Sequence, residues 1–205
     1  MLFGVLLLLG AAGLTVRNTE EDRQAGADSQ QAAQGLREQI PNYAAPVEPD
    51  SWKLSDLAAS VSAAPAQAEM QTMEVGGQEY IGVLDIPALG LSLPILLNCD
   101  SSLLKLSPCR YTGSFLDDSL ILAGHNYRSH FGSIGNLTGG DAVFFTDVTG
   151  EVYTYEVTDV ETISGSDTEA MASGDWDLTF FTCTLSGTSR IAVRCQRVID
   201  SGRIQ

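Results

Sequence analysis

From about residue 76 onward, apolar and polar residues form short runs that are typical of β-strands. Within 152–159, Tyr153, Tyr155 and Val157 alternate with polar residues, as expected for a strand with one buried face. Gly, Asp, Asn and Pro separate the runs, and 147–150 has the composition of a hairpin turn. The pattern predicts strands at 80–86, 91–97, 120–123, 142–146, 151–162, 178–182 and 189–199.

Helical signals in this part of the chain are few and short. They predict helices at 101–106, 131–137 and 168–173. Seven or eight short strands within about 130 residues, with turns at short intervals, indicate a mainly β domain, either a barrel or a sandwich. We therefore expect one β-domain over 76–205, accompanied by a few short helices.

The first sixteen residues are apolar and carry no charge before Arg17. As a helix they would span about 24 Å, which is less than the roughly 30 Å of a bilayer core. Two interpretations remain open: a cleaved signal peptide, and a membrane anchor without the usual basic flank. A buried core helix is disfavoured, because the tract that follows is polar and acidic. We expect residues 1–16 to direct export or anchoring.

Residues 17–75 are rich in Ala, Gln, Ser, Pro and acidic residues, and their net charge is −6. Four prolines between 41 and 65 interrupt any long helix in their vicinity. A polar helix is conceivable at 20–39, but no strongly apolar face is sustained there. The composition predicts a largely disordered spacer that holds the domain away from a membrane.

The charge of the chain excludes two classes of partner. Eleven basic residues stand against 26 acidic ones, which gives a net charge of −15 and an isoelectric point near 4.2. Nucleic-acid binding needs a basic surface, which such a domain does not provide. Lys53 and Lys105 are the only lysines, so a polybasic lipid-binding patch is also excluded.

Three residues near predicted strand ends have the chemistry of a thiol enzyme. Cys183 ends one strand, His125 follows another, and Arg190 lies near the start of the last. A nucleophilic thiol needs an acid–base partner and a cation where an oxyanion develops. A lone cysteine at a strand end is nevertheless often a buried apolar residue, so these residues permit a site without demonstrating one.

Three segments resemble the motifs of the sortase family, in the family's order. They are Ala123-Gly124-His125, Thr179-Phe180-Phe181-Thr182-Cys183 and Arg190-Ile191-Ala192-Val193-Arg194. The family motif before the cysteine is T-L-x-T-C, and Phe180 replaces its leucine. The segment from Phe131 to Val143 also resembles the region after the sortase histidine. His125-Asn126 favours class B, whereas the compact domain favours another class, so the subclass stays open.

The resemblance implies a closed eight-stranded sortase barrel and a cysteine transpeptidase. Cys183 would attack the Thr–Gly bond of an LPxTG-like sorting signal and form a thioester. His125 would act as acid and base, and Arg190 would hold the substrate and the oxyanion, beside a backbone N–H near Thr184. Thr182 and Thr184 would contact substrate.

The resemblance also implies the partners and the location of the enzyme. Its substrates would be surface proteins with a C-terminal sorting signal, and the amine nucleophile would come from a peptidoglycan precursor or a pilin. The chain would be held in the cell membrane by a single N-terminal anchor, with the catalytic domain outside the cell. No cofactor is implied, although some sortases bind Ca²⁺.

The remaining candidate ligands have simpler interpretations. Cys99 and Cys109 are either a disulfide or two free thiols, and Cys195 is expected in the core. His130 is expected at the surface or in packing rather than in a zinc site, because too few zinc ligands accompany it. The acidic residues near turns lack EF-hand spacing, which favours a solvated face over a calcium site.

Three alternatives to a sortase are considered. A tethered β-barrel binding module would have a structural, buried Cys183. An L,D-transpeptidase would have an S-H-G-C element, which is absent from the sequence. A papain-like protease would have its cysteine before its histidine, whereas His125 precedes Cys183 here. The sequence therefore favours the sortase, with the binding module as the main alternative.

Overall fold

The computed structural model describes residues 2–43, 69–184 and 186–198. Within these residues the chain has nine β-strands, three α-helices and two single turns of 3-10 helix, Pro87–Leu89 and Ile134–Asn136. The strands are β1 Met73–Val75, β2 Gln78–Ile86, β3 Leu91–Leu96, β4 Cys109–Thr112, β5 Leu120–Ala123, β6 Ala142–Asp147, β7 Val152–Ser164, β8 Leu178–Cys183 and β9 Ser189–Arg197; the helices are α1 Leu2–Gln39, α2 Leu103–Leu106 and α3 Thr168–Ala172.

Eight of the strands close into a barrel. The ring runs β2-β3-β4-β5-β8-β9-β7-β6 and returns to β2 through the β2–β6 pairing. Only β3–β4 and β5–β8 pair in parallel among the described strands; the other neighbours are antiparallel. β1 lies outside the ring as a hairpin partner of β2. The predicted closed eight-stranded barrel is confirmed.

The barrel interior is filled by alternate side chains of its strands, because successive residues of a strand face opposite sides. In β7, Tyr153, Tyr155 and Val157 are buried, as the alternating pattern predicts. The register shifts between Val157 and Asp159 opposite β9, which marks a β-bulge at Thr158. Asp159 is therefore exposed, although strict alternation would place it on the face of Val157.

The predicted strands agree with the observed ones to within two residues at each end. The hairpin at 147–150 is also confirmed, because the Asp147 carboxylate accepts hydrogen bonds from the N–H groups of Thr149 and Glu151. The helix predicted at 131–137 is wrong, since only a single 3-10 turn forms there. The short strands β1 and β4 were not predicted.

Helix α1 differs most from the sequence-based expectation. It extends through residues 17–39, where a largely disordered spacer was expected, and it packs against β1, β2, β3 and α2. One side of the chain is buried at intervals of three or four residues, as helical geometry requires. The buried residues on this side are Ala25, Ser29, Ala33, Leu36 and Ile40.

The small residues of α1 explain why its packing was not predicted. Alanine and serine add little hydropathy, so the buried side does not stand out as an apolar stripe. They permit a close approach instead: a Cβ on Gly35 would lie 2.9 Å from Val75 Cγ1. The part of the predicted spacer at 44–68 lies outside the described residues.

The apolar segment expected to direct export or anchoring is continuous with α1. Leu14 and Val16 near its end are exposed. Among the residues that the structure describes, no helix combines the length and the apolar character needed to cross a membrane. The assignment of 1–16 as a signal or an anchor stays a prediction.

The four cysteines have three different environments. Cys99 and Cys109 form a disulfide between the segment after β3 and the first residue of β4, which settles the pairing that the sequence left open. Cys183 is free and exposed, whereas Cys195 is free and buried. The expected core position of Cys195 is confirmed, because it packs in the barrel interior with Val193.

Candidate active site

Three neighbouring strands bring the candidate residues to one edge of the barrel. β5 and β8 run parallel, with Ala123 opposite Phe181. β8 and β9 run antiparallel, with Cys183 directly opposite Arg190. Parallel strands end at the same edge, and β9 begins where β8 ends. His125, two residues beyond Ala123, therefore reaches the edge that Cys183 and Arg190 occupy.

Two hydrogen bonds continue the β5–β8 pairing beyond the end of β5. The Gly124 N–H donates to the carbonyl oxygen of Phe181 at 3.0 Å. The Thr182 hydroxyl donates to the carbonyl oxygen of Gly124 at 2.9 Å. The residue before His125 is thereby bonded to the residue before Cys183, which fixes the histidine segment against the cysteine strand.

Cys183 lies on the outer face of β8, while alternate residues of the strand fill the core. Phe180 and Thr182 are 0% and 1% exposed and face the interior. The two-residue period of a strand turns Cys183 to the opposite face. Its thiol is exposed and free, which contradicts the binding-module alternative, because that alternative required a buried Cys183.

His125 is half-buried, and its imidazole lies flat against the ring of Tyr127. The ring centroids are 4.1 Å apart and the planes differ by 3°. Burial lowers the pKa of His125, the positive charge of Lys105 lowers it further, and Glu21 of α1 opposes both. The neutral imidazole is therefore the favoured form near pH 7, and it is suited to accept a proton.

Arg190 is held only loosely by the protein. Its Nη1 donates to the carbonyl oxygens of Gly187 at 3.4 Å and Ser189 at 3.3 Å, both at the long end of hydrogen-bond geometry. A guanidinium has five N–H donors in a rigid fork. With respect to the described residues, most of the Arg190 fork is therefore open to an anionic or carbonyl ligand beside Cys183.

The two threonines predicted to contact substrate help to frame the site. The Thr182 hydroxyl is buried, and it donates a hydrogen bond to the Gly124 carbonyl. The Thr184 N–H donates to the Ser189 carbonyl at 2.9 Å, within the turn between β8 and β9. The Thr184 N–H is thus occupied, while residue 185 lies outside the described residues, so the oxyanion donor expected near Thr184 stays a prediction. Substrate contact by either side chain stays a prediction.

A wall beside the site is built from α3 and held by Arg194. The guanidinium of Arg194 is 2% exposed, and it donates to Glu161 at 2.7 Å and to the carbonyl oxygens of Ala170 and Met171, each at 2.7 Å. Met171 in turn packs with Ile163, Ala192 and Phe181 on the outer face. Arg194 therefore fixes the segment between β7 and β8 against the strands that carry Cys183 and Arg190.

A cavity of about 340 Å³ lies further along the same outer face. Thr179 and Arg194, which pair across β8 and β9, are part of its lining. Thr179 precedes Cys183 by four residues, a distance of about 13 Å along a strand. The cavity and the thiol therefore lie on the same outer face, separated by the cluster of Met171, Ala192 and Phe181.

The described residues contain no group of three or more His, Cys, Asp or Glu side chains placed to hold a metal ion. Several acidic residues instead complete local structure. Asp141 accepts from the N–H of Thr138 at 2.7 Å, and Asp167 caps α3 by accepting from the N–H of Ala170 at 2.9 Å. His130 is fully buried, in agreement with a packing role.

Comparison with known proteins places this barrel among the cysteine transpeptidases. The model of the sortase domain matches residues 84–198, which is more than half of the chain. The chain therefore belongs to the sortase family. Sortases transfer proteins that carry a sorting signal to a nucleophile, and they are membrane-associated or cell-surface proteins.

Solved sortase structures share the fold. Sortase C1 of Streptococcus agalactiae is 28% identical over 62% of this chain and 72% of its own, with a TM-score of 0.54. Sortase C-1 of Actinomyces oris is 26% identical over 58% of this chain and 73% of its own, with a TM-score of 0.51. The sortase D5 transpeptidase of Clostridium perfringens is 24% identical over 58% of this chain and 79% of its own, with a TM-score of 0.52. No curated protein sequence matches the chain.

Proposed function

We propose that Cys183, His125 and Arg190 are the catalytic residues of this transpeptidase. The observation that supports the proposal is the register of the three strands. Cys183 pairs with Arg190 across β8 and β9, and His125 follows the strand that runs parallel to β8. The exposed thiol and the loosely held guanidinium are both accessible to a peptide on the outer face.

The first half of the reaction forms a thioester. The Cys183 thiolate attacks the carbonyl carbon of the threonine in the sorting signal, and Arg190 hydrogen-bonds the oxyanion that develops. His125, as imidazolium, donates its proton to the leaving glycine amine as the C–N bond breaks. The substrate remains attached to the sulfur, and His125 is left neutral.

The second half transfers the acyl group. An incoming primary amine attacks the thioester carbonyl, and neutral His125 accepts the amine proton. The C–S bond breaks, the thiolate leaves, and a new amide bond forms. The thiolate–imidazolium pair is thereby restored. Because burial lowers the pKa of His125, this pair is the minor protonation state near pH 7.

The substrates follow from the chemistry and the family. We propose an LPxTG-like sorting signal at the C-terminus of surface proteins, and an amine from a peptidoglycan precursor or a pilin lysine. The N-terminal segment, residues 1–16, would hold the enzyme at the cell membrane with the barrel outside the cell. No cofactor enters the mechanism, since each step is assigned to a side chain of the chain itself.

The proposal predicts that, of the two free cysteines, Cys183 is essential for activity and Cys195 is dispensable. The full chain is incubated with a mixture of LPxTG-like peptides varied at their first, third and fifth positions, together with an added primary amine. Mass spectrometry detects cleavage and the amide product. Cys183→Ala is expected to lose at least a thousandfold in activity, because it removes the nucleophile.

Cys195→Ala is the matched control. Its sulfur lies in the barrel core, so its loss is expected to lower stability by about 1 kcal/mol and to leave turnover within about twofold of the original. Turnover by Cys183→Ala at a tenth of the original rate or faster would overturn the assignment.

A further inference from the structure

The parallel packing of Tyr127 on His125 is a feature that the proposed mechanism does not use. The two rings are 4.1 Å apart and within 3° of parallel. Tyr127 is only 5% exposed, so its ring is fixed by the protein around it. One face of the imidazole is therefore covered by an aromatic plane that does not move freely.

The backbone of the same segment holds Tyr127 in place. The N–H groups of His130 and Gly132 both donate to the Tyr127 carbonyl, at 3.0 and 2.8 Å. A Cβ on Gly132 would lie 2.6 Å from that oxygen, so the tight turn requires glycine. The Phe131 N–H also donates to the carbonyl of His125 at 3.2 Å. The segment thus folds back on itself and returns to the catalytic histidine.

His130 also packs against Tyr127. Its ring centroid lies 5.6 Å from that of Tyr127, at an angle of 58°. His130 is 0% exposed, and burial lowers its pKa to about 4. It is therefore neutral near pH 7, and it serves as a buried packing group next to the tyrosine.

Helix α1 anchors this segment from outside the barrel. The Asp22 carboxylate accepts hydrogen bonds from the Ser129 N–H at 3.1 Å and the Ser129 hydroxyl at 2.7 Å. A Cβ on Gly26 would lie 2.9 Å from Ser129 Cβ, so the helix and the segment are in close contact. A continuous set of contacts therefore joins α1 to Ser129, His130, Tyr127 and His125.

We propose that Tyr127 is a positioning residue for His125, and that α1 acts on the active site through it. This inference rests on the proposed function, because it assumes that His125 transfers the protons. A flat ring against the imidazole opposes rotation of the imidazole about its bond to Cβ and so aims its nitrogens. Displacement of a catalytic group by about 1 Å can cost a hundredfold in rate, so restraint of the ring has a direct effect on turnover.

The test compares two substitutions of Tyr127 in the full chain. Tyr127→Leu removes the aromatic plane and is expected to lower kcat by about tenfold to a hundredfold, with KM changed by less than about threefold. Tyr127→Phe keeps the plane and is expected to retain kcat within about threefold. Equal kcat for Tyr127→Leu, Tyr127→Phe and the original chain would overturn the proposal.

A second variant tests the contribution of α1 without changing the barrel. Ser129→Ala removes the hydrogen bonds from the hydroxyl to Asp22, and it is expected to lower kcat by about threefold to tenfold. Ser102→Ala, whose hydroxyl bonds Asp100 at an exposed turn, is the control and is expected to leave kcat unchanged. If Tyr127→Leu does not fold, an unchanged kcat in Ser129→Ala overturns the proposal.

The pH profile of kcat/KM separates positioning from a change in electrostatics. The charged and titratable groups that act on His125 are Lys105 of α2, Glu21 of α1 and the neighbouring His130. Both Tyr127 variants retain these groups. A positioning role therefore predicts that Tyr127→Leu lowers kcat/KM, while the acidic and basic limbs of its pH profile stay within about half a pH unit of those of the original chain. Activity that survives in Cys183→Ala would instead refute the proposed function, whatever Tyr127→Leu does.

Discussion

The open edge of the barrel and the buried parts of the protein contain the same two residue types in opposite environments. At the edge, Cys183 is exposed and His125 is half-buried. Burial raises the pKa of the Cys195 thiol in the barrel interior, and it lowers the pKa of His130, in the segment that contacts α1, to about 4. Burial thus keeps both of these groups neutral near pH 7. We therefore expect reactivity to depend on the position of a cysteine or histidine in the fold, and not on residue type.

The same contrast appears within β9, between two arginines. Arg194 is buried and makes four hydrogen bonds, to Glu161, Thr179 and two carbonyls of α3. Within the part of the chain that the structure describes, Arg190 contacts only two backbone oxygens, both at long distance. The engaged arginine therefore stabilises the fold, whereas the loosely held one is available to the substrate.

The largest effect on activity that distinguishes the two arginines is expected from substitution of Arg190. Arg190→Met removes the proposed oxyanion ligand and should lower kcat/KM by about a hundredfold to a thousandfold. The melting temperature should change by less than about 2 °C, because the side chain has few partners to lose. Peptide-cleavage kinetics and thermal unfolding are measured on the same samples.

Arg194→Met provides the converse result. It leaves two α3 carbonyls without their donor, and we expect it to lower the free energy of unfolding by about 2–4 kcal/mol. The Glu161 side chain is 40% exposed and can be hydrated, which keeps the loss at the lower end of this range. If Arg190→Met instead lowers the melting temperature and only Arg194→Met lowers kcat/KM, the assignment of Arg190 to substrate binding and of Arg194 to fold stability is wrong.

A further effect is expected from His130, and it concerns the pH dependence of stability rather than the rate. Its pKa is about 4 in the folded protein, against 6.5 as the ordinary value. Between these pH values the unfolded chain binds a proton that the folded protein does not, so stability falls as the pH falls from 6.5 to 4. The contribution over this range is about 3 kcal/mol.

Denaturant unfolding at several pH values measures this contribution. His130→Gln does not titrate, so its stability should depend less steeply on pH between 6.5 and 4 than that of the original chain. His125→Gln is the matched control and should change the slope less, since His125 is only partly buried. Equal slopes for the original chain and His130→Gln would show that burial does not lower the pKa of His130.

Most strands could be predicted from the sequence because they alternate or end at clear turns, but the pattern left a barrel and a sandwich open, and only the motif resemblance specified the closed barrel. β4 was missed because its four residues, Cys109–Thr112, are too few to show a period and, unlike the four apolar residues of β5, they do not form an apolar run. β1 was missed for the same reason, although Gly76-Gly77 was a usable signal. Both glycines have positive φ, 60° and 79°, which suits a two-residue hairpin turn.

The catalytic candidates were predictable only through motifs, since cysteine, histidine and arginine occur in many cores. The helix packing of residues 17–39 was hidden because its buried side is rich in small residues. The stack of Tyr127 on His125 could not be predicted either. It depends on a turn and on contacts with α1 that begin more than a hundred positions earlier in the chain.

The central claim is that Cys183 becomes acylated during turnover, and the acyl-enzyme can be observed directly. The full chain is mixed with the preferred sorting-signal peptide without an added amine, quenched in acid, and analysed by intact-mass and peptide-mapping mass spectrometry. The account predicts an adduct on Cys183 with the mass of the peptide up to its threonine, which disappears when hydroxylamine is added. Cleavage with no adduct on Cys183, or with an adduct on another residue, would contradict it.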